Sequence, residues 1–278
     1  MLRELAGRCG PALVDVHTDT DHHRSVFTLA GPGPHDAADA ARELADAVAA
    51  SVSIDAHDGV HPFLGALDVV PFVALGGTSE ARDLAVATAR EFAQWWARTH
   101  LVPVFLYDDA DGEHRDLPSV RRDAFRSRQP DFGPPAPHPT LGASAVGARK
   151  PLVAINLLLM SDDVAVARRI ARKIRERDGG LPGVRALGLM LPSTARPQVS
   201  MNLVDLDRTG IEPACLEVRR LARSVGTDVD SVELVGLVPR RDLDRCSEDF
   251  LRWARIDATA AVEARIGHGP RRLPGEDS

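Results

Sequence analysis

Residues 152–159 read LVAINLLL, and this stretch decides how the second half of the 278-residue chain folds. Every residue except Asn156 is apolar, and a short apolar run of this kind is typical of a buried β-strand. The run follows a long connection rich in proline, arginine and aspartate. We therefore expect this strand to lie inside a sheet around which the second half is organised.

The segments after residues 152–159 alternate between helix and strand. Val166, Ile170 and Ile174 recur at helical spacing after the polar capping residues 161–163. The sequence further predicts strands at 184–191 and 198–206, a helix at 211–225, a strand at 231–238 and a helix at 243–260. The order β-α-β-β-α-β is the ferredoxin-like arrangement, in which the first strand is central and pairs on both sides.

The first half repeats this order but lacks the opening strand. Its predicted elements are a helix at 2–8, strands at 12–17 and 24–30, a helix at 37–50, a strand at 66–73, a helix from 78 or 79 to 100 and a strand at 103–107. We therefore predict an α/β (α+β) fold with two ferredoxin-like βαββαβ subdomains in tandem, the first without its opening strand.

The predicted domains are an N-terminal subdomain at 1–148, a C-terminal subdomain at 149–266 and a flexible tail at 267–278. A missing central strand would leave unpaired backbone groups on both flanking strands. We expect that the start codon was placed too late. The alternative is that a neighbouring strand fills the gap.

Composition excludes several classes of protein. The net charge of −6 and the pI near 5.9 argue against nucleic acid as the main partner. Cys9, Cys215 and Cys246 show neither a disulfide framework nor a zinc-site spacing, which fits a reducing compartment. No signal peptide or membrane-spanning run is evident. We therefore expect a cytoplasmic protein without a membrane partner.

A polar loop at residues 56–65 contains two histidines and leads into a predicted strand. His61 is the candidate for catalysis, because histidine titrates near neutral pH and a loop on a rigid scaffold can present it to a ligand. For a lone histidine without further information, a turn-capping role is the more common one. The surrounding motifs change that balance.

Four blocks of sequence occur in an order found in one enzyme family. They are LVDV at 13–16 with DHHRSV at 21–26, HP at 61–62 with LGALDVVPF at 64–72, PDFGP at 130–134 with GASAVGARK at 142–150, and QVS at 198–200 with NL at 202–203, Asp205 and ELVGLVP at 233–239. Together they resemble the glutamate formiminotransferases (glutamate formimidoyltransferases), the formiminotransferase domain of formiminotransferase-cyclodeaminase.

The resemblance implies a one-carbon group transferase of histidine degradation. It would move the formimino group of N-formimino-glutamate to N5 of tetrahydrofolate, a co-substrate, without a metal. His61 matches the family's catalytic histidine and would act as general acid and base. Because both substrates carry carboxylates, Arg149 and Lys150 are candidate anchors, although such a basic pair is as often a solvated surface feature. Because no cyclodeaminase-like segment follows, we expect a stand-alone transferase. The resemblance also makes a homodimer an option.

The resemblance also implies a folate site in a cleft between the two subdomains. Residues 108–141 would otherwise read as a linker, since long connections without periodicity are usually functional or disordered. The residues implied in folate binding are Gly133, Pro134, Pro135, Ala136, Pro137, His138, Pro139, Thr140, Leu141, Gly142, Gly183, Val184 and Arg185.

Some positions differ from the family pattern. His17 stands where the family has a carboxylate, and Phe63 stands where it has arginine. A non-catalytic or altered-specificity folate-binding relative is therefore an alternative. A second alternative is a metal-dependent hydrolase, since imidazole and carboxylate ligands suit several divalent metals. Its ligands would come from a cluster that a polar hairpin turn explains more simply: His17, Asp19, Asp21, His22 and His23.

Overall fold

The computed structural model describes residues 1–33, 35–59 and 62–269. The described residues form two compact units. The first comprises Met1–Leu13 and Leu29–Lys150, and the second comprises Val14–Thr28 and the described residues from Pro151 onward. The sequence did not predict that Val14–Thr28 belongs with the second half. The predicted tail lies outside the described residues from residue 270 on.

The element order follows the prediction, with a helix added at Leu117–Asp123 and a strand added at Ser144–Arg149. The predicted helix at 243–260 is wrong: two short helices, Arg240–Leu243 and Glu248–Ala254, stand there, and Arg255 ends the second one in the left-handed region with φ 54. The helices are α1 (Leu2–Arg8), α2 (Asp36–Ser51), α3 (Ser79–His100), α4 (Leu117–Asp123), α5 (Val164–Ile174), α6 (Ile211–Arg223), α7 (Arg240–Leu243) and α8 (Glu248–Ala254). The strands are β1 (Leu13–Asp19), β2 (Arg24–Leu29), β3 (Val69–Val73), β4 (Val104–Asp108), β5 (Ser144–Arg149), β6 (Val153–Leu159), β7 (Val184–Leu191), β8 (Arg196–Leu203) and β9 (Val229–Val235). The fold is mixed α/β.

The sheet of the second unit has the order β7-β8-β6-β9, and each neighbouring pair is antiparallel. The apolar run quoted first forms β6, which pairs with β8 on one side and β9 on the other. This is the ferredoxin-like order, and the prediction for the second half is confirmed. In the register, Asn156 lies opposite Ser200 of β8 and Glu233 of β9.

One face of this sheet is covered by α5 and α6. Alternate residues of β6, namely Ile155, Leu157 and Leu159, are fully buried in the core with Ile170 and Ile174 of α5. The N-terminus of α5 is capped by Asp163, whose carboxylate accepts from the Ala165 N–H at 2.8 Å. The alternation leaves the other side chains of β6, including Asn156, on the opposite face.

The sheet of the first unit has the order β3-β5-β4, and both pairs are parallel. Phe92 and Trp96 of α3 pack with Val104 and Leu106 on one face. Phe105 and Tyr107 lie on the other face with Val120 of α4. Each face of the sheet therefore has its own helix.

The first half thus differs from the second in its strand pairing. Among the described residues, β1 and β2 pair only with each other, and β3 pairs only with β5. A ferredoxin-like sheet needs its first strand in the centre, and the described residues contain no strand before Leu13. The local sequence pattern did not predict the parallel sheet of β3, β4 and β5.

Candidate functional site

Two of the family-like blocks are joined in the first unit by backbone hydrogen bonds. The Ala66 N–H donates to the Leu141 carbonyl at 3.0 Å, and the Ala143 N–H donates to the Leu64 carbonyl at 3.0 Å. Gly65 and Gly142 form a β-bridge between these bonds. We call this contact the glycine clamp. It fixes the loop that follows His61 against the segment that leads into β5.

Glycine is required on both sides of the clamp. A Cβ on Gly65 would lie 2.2 Å from the Leu141 carbonyl oxygen, closer than non-bonded atoms approach. Gly142 has φ +70, and its Cβ would lie 2.4 Å from the Leu64 carbonyl oxygen. A side chain at either position would push the two segments apart. The glycines of LGALD and GASAVGARK therefore have a structural role that the sequence pattern alone did not reveal.

Asp68 holds the same loop from its other end. Its Oδ1 accepts from the Leu64 N–H at 2.7 Å, and its Oδ2 accepts from Arg121 of α4. Its backbone carbonyl accepts from the Ala145 N–H at 2.9 Å, which starts the pairing with β5. Asp68 thus links the loop and α4 through its carboxylate, and the sheet through its backbone carbonyl.

His61 itself lies outside the described residues. The nearest described aromatic side chain along the chain is Phe63, which is 42% exposed and whose ring centroid lies 4.0 Å from that of His57. Phe63 therefore presents an apolar surface where the family pattern has a cation. The placement of His61 stays a prediction.

The predicted folate segment Gly133–Gly142 is a structured loop with an exposed tip. His138 and Gly142 exchange backbone hydrogen bonds at 2.8 and 2.9 Å, and His138 Nδ1 accepts from the Leu141 N–H at 3.1 Å. Gly133 has φ +87, and a Cβ there would lie 2.8 Å from the Val102 carbonyl oxygen. Residues 135–137, 139 and 140 are exposed. The linker interpretation of this segment therefore does not fit its hydrogen bonding.

Helix α4 was missed in the sequence, although it supplies Arg121. Its signals are Asp116, whose carboxylate accepts from the Ser119 N–H at 3.0 Å, and Pro118 in the first turn. A helix of seven residues is too short for apolar periodicity to stand out. A capping signal was thus present without a repeat to support it.

The connection around α4 is fixed by a buried ion-pair network. Asp111 is 3% exposed and accepts two bonds from Arg115 at 2.7 and 2.9 Å. Arg128 lies 3.6 Å from the same carboxylate and bonds Asp131 at 2.7 Å. The hydrogen bonds from Arg115 lower the pKa of Asp111 to about 2, against the opposing effect of burial.

The proposed carboxylate anchors Arg149 and Lys150 differ in exposure. Arg149 at the end of β5 is half-buried, and Lys150 is exposed. Tyr107 packs closely against Gly147 of β5, where a Cβ would be 2.6 Å from its ring. Burial raises the pKa of the Tyr107 phenol to about 12, and the nearby Arg149 acts in the opposite direction. Tyr107 is therefore protonated at neutral pH.

The second predicted folate segment, Gly183–Arg185, belongs to the second unit. Gly183 has φ +72, and its N–H donates to Glu176 at 2.9 Å. Val184 is 1% exposed and lies in the core, so its side chain has a packing role. Arg185 is half-buried on the helix-free face of β7. Neither unit by itself brings Gly133–Gly142 and Gly183–Arg185 together.

The residues of the hairpin cluster are divided among separate contacts. Buried His22 pairs through Nδ1 with Asp19, and Asp21 accepts from the Ser193 N–H at 2.9 Å. His17 Nε2 lies 3.3 Å from Glu233 Oε1 instead. Among the residues that the structure describes, no group of three or more His, Cys, Asp or Glu side chains is arranged to hold a metal ion. The hydrolase alternative therefore has no ligand set in this part of the chain.

Comparison with family models places both halves of the chain. Residues 2–149 match the N-terminal subdomain of the formiminotransferase domain, and residues 153–263 match the formiminotransferase domain. The chain belongs to the formiminotransferase family. The resemblance seen in the sequence blocks is therefore confirmed, as is the tandem arrangement of two family domains.

Individual formiminotransferases align over nearly the whole chain. Glutamate formimidoyltransferase of Streptococcus pyogenes serotype M1 is 34% identical over 89% of this chain and 86% of its own length. The glutamate formimidoyltransferase of Thermoplasma acidophilum is 34% identical over 91% of this chain and 87% of its own. Formimidoyltransferase-cyclodeaminase of Sus scrofa is 35% identical over 87% of this chain but only 47% of its own. Across the described residues, no helix is long and apolar enough to cross a membrane.

Proposed function

We propose that this formiminotransferase moves the formimino group of N-formimino-L-glutamate to N5 of tetrahydrofolate, a step of histidine degradation. The observation that carries the proposal is the alignment with two proteins named glutamate formimidoyltransferase over 86% and 87% of their lengths. Tetrahydrofolate is the co-substrate and receives the one-carbon unit. The two substrates are small molecules that carry carboxylates.

The reaction exchanges one carbon–nitrogen bond for another. N5 attacks the formimino carbon, a tetrahedral intermediate forms, and the bond to the glutamate nitrogen then breaks with its electron pair on that nitrogen. N5 loses one proton and the glutamate nitrogen gains one. We assign this proton transfer to His61, since a histidine that titrates near neutral pH can act as base and then as acid.

The glycine clamp and Asp68 support the assignment of His61. The clamp and the Asp68 carboxylate hold the residues directly after His61 through backbone groups. A catalytic group gains rate only when it is held in a defined place. The structured loop Gly133–Gly142 likewise supports a folate-binding role. Gly183, Val184 and Arg185 are also proposed as folate-binding residues. Arg149 and Lys150 are proposed as carboxylate anchors.

Turnover and binding must be measured separately to test this function. Wild-type protein with N-formimino-glutamate and tetrahydrofolate should form the product, and His61→Ala should lower kcat by about 100-fold or more while tetrahydrofolate still binds. His114→Ala, at a histidine that is 71% exposed, serves as the control and should leave both unchanged. Tetrahydrofolate binding by wild type without turnover would replace the proposal with the non-catalytic relative.

A transferase of altered donor specificity is the second candidate function. It is favoured by the exposed apolar Phe63 at the position where the family pattern has arginine. Turnover with a donor that lacks one carboxylate, but not with N-formimino-glutamate, would support it.

Domain boundaries at 148–149 and 266, the homodimer, the cytoplasmic location and the absence of nucleic-acid and membrane partners stay predictions of the sequence.

A further inference from the structure

The helix-free face of the sheet in the second unit carries a row of polar side chains. The register places Ser200 of β8, Asn156 of β6 and Glu233 of β9 side by side across the middle of this face. Asn156 is 3% exposed, and a buried amide is costly unless it is hydrogen-bonded. A row of this kind replaces apolar residues that would stabilise the sheet more readily, so it indicates a role in binding or chemistry.

The row ends in a histidine held by a carboxylate. Asn156 Nδ2 donates to Glu233 Oε2 at 2.9 Å, and His17 Nε2 of β1 lies 3.3 Å from Glu233 Oε1. The His17 contact is electrostatic and lacks the geometry of a well-directed hydrogen bond. Each oxygen of Glu233 therefore has its own partner, and Asn156 fixes the orientation of the carboxylate that faces His17.

The charges around Glu233 keep it ionised. His17 and Asp19 face it from β1, and Asn156 faces it from β6. Contact with His17 is the largest influence and lowers the pKa of Glu233, against burial and the like charge of Asp19. Asp19 is itself paired with His22. An ionised Glu233 favours the tautomer of His17 with its proton on Nε2, which leaves the lone pair on Nδ1.

We propose that His17 is a second acid–base residue of the formimino transfer, and that Glu233 and Asn156 are its positioning residues. This inference rests on the proposed function. This inference divides the proton transfer that the proposed function gives to one histidine. When the bond between N5 and the formimino carbon forms, Nδ1 of His17 takes the proton that N5 loses, and His61 keeps the acid step and protonates the glutamate nitrogen as the old bond breaks. Solvent exchange restores both groups after turnover. The side chain of His17 keeps 20% of its surface exposed.

The chain offers a matched control for this pair. His100 Nε2 lies 2.6 Å from Asp46 Oδ1, and the side-chain exposures of that pair are 20% and 45%, the same as for His17 and Glu233. His100, however, stacks on Trp96 with ring centroids 4.4 Å apart at the C-terminus of α3. Its contacts are those of a packed helix end. Replacing His100 therefore tests the loss of an equally exposed histidine–carboxylate pair.

Turnover of His17→Gln and His100→Gln distinguishes an acid–base residue from a structural one. Glutamine can still donate to Glu233 but cannot move a proton at neutral pH. We expect kcat of His17→Gln to fall about 100-fold with KM within about threefold, and the rate of His17→Ala to rise on addition of imidazole. Glu233→Gln should change the pH profile of kcat, while His100→Gln keeps the wild-type rate. A kcat of His17→Gln within about twofold of wild type overturns the inference.

Chemical modification separates this inference from the proposed function. Diethyl pyrocarbonate labels neutral histidines, and peptide mass spectrometry locates the label. Tetrahydrofolate should protect His17 but not His100. If the wild-type protein shows no turnover, the proposed function is overturned. Protection of His17 in the same wild-type protein would still support contact between His17 and tetrahydrofolate. Labelling of His17 at the same rate with and without tetrahydrofolate overturns the inference, whether or not wild type turns over.

Discussion

The two units of this formiminotransferase use their sheets in different ways. In the second unit, the groups that we propose for the reaction lie on the helix-free face of an antiparallel sheet, where His17, Asn156 and Glu233 meet. In the first unit, both faces of a parallel sheet are packed, and the motif residues lie in loops joined by the glycine clamp. The comparison shows that one unit places polar side chains side by side on strands, whereas the other joins its motif loops through backbone contacts.

The largest expected effect follows from a change in the glycine clamp. Gly65→Ala places a methyl group 2.2 Å from the Leu141 carbonyl oxygen, so the loop must move. We expect a loss of about 3 kcal/mol in the free energy of unfolding, in the upper range for single substitutions, together with loss of turnover. Thermal denaturation and kcat measure the two effects. Gly112→Ala is the control, since nothing lies within 4 Å of the place that its Cβ would take. A wild-type kcat in Gly65→Ala would contradict the role that we give to backbone contacts between the loops of the first unit.

The next largest effect is a difference in the free energy of unfolding between substitutions on the two faces of β6. Leu157 is fully buried in the core, whereas Leu158 points to the helix-free face and is half-buried. Leu157→Ala should lower the free energy of unfolding by about 3 kcal/mol. Leu158→Ala should lower it by about 1 kcal/mol, because less apolar area is lost from burial. Urea denaturation of both variants gives the values, and equal losses would contradict the one-sided core.

A pH experiment tests the loop network of the first unit. The pKa of Asp111 is lowered to about 2 by Arg115, so the carboxylate stabilises the fold above its unfolded pKa and this contribution disappears as the pH falls through about 2. Wild type should exceed Asp111→Asn in melting temperature at about pH 7, and the difference should shrink between about pH 4 and 2. Asp249→Asn in the second unit, which removes an exposed pair with Arg252, should show no such trend.

The smallest expected effect is at Phe63. Its side chain is 42% exposed, so Phe63→Arg should change the free energy of unfolding by less than about 0.5 kcal/mol. The new guanidinium can bind a carboxylate, which phenylalanine cannot. We therefore expect a lower KM for N-formimino-glutamate, measured beside Phe63→Leu as an uncharged control. An unchanged KM would place this residue away from the donor.

The sequence predicted elements better than it predicted their pairing. Most of the helices and strands, and the central position of β6, follow from apolar spacing and capping residues, which are local signals, whereas α4, β5 and the division of the predicted helix at 243–260 were missed. The parallel pairing of β3, β4 and β5 depends on partners far apart in the chain, and no local pattern specifies it. The grouping of Val14–Thr28 with the second unit was missed for the same reason.

The candidate site was predicted in part. The motif blocks contain Gly65, Asp68 and Gly142, yet their roles became clear only from the close approach of two backbones. The contact of His17 with Glu233 joins β1 to β9, whereas the sequence offered His17 only as a departure from the family pattern and as a candidate metal ligand. Side chains that meet across strands leave no spacing signal, which is why this pair was not predicted.

The loop at 133–142 is anchored at both ends while residues 135–137 are exposed. That combination makes it a suitable position for a fluorescent reporter. Burial raises the pKa of the native thiols Cys9, Cys215 and Cys246, so they react slowly with a maleimide dye at neutral pH. A thiol introduced by Ala136→Cys would be labelled selectively, and a change in the dye's emission on addition of tetrahydrofolate would test the proposed folate-binding role of this loop.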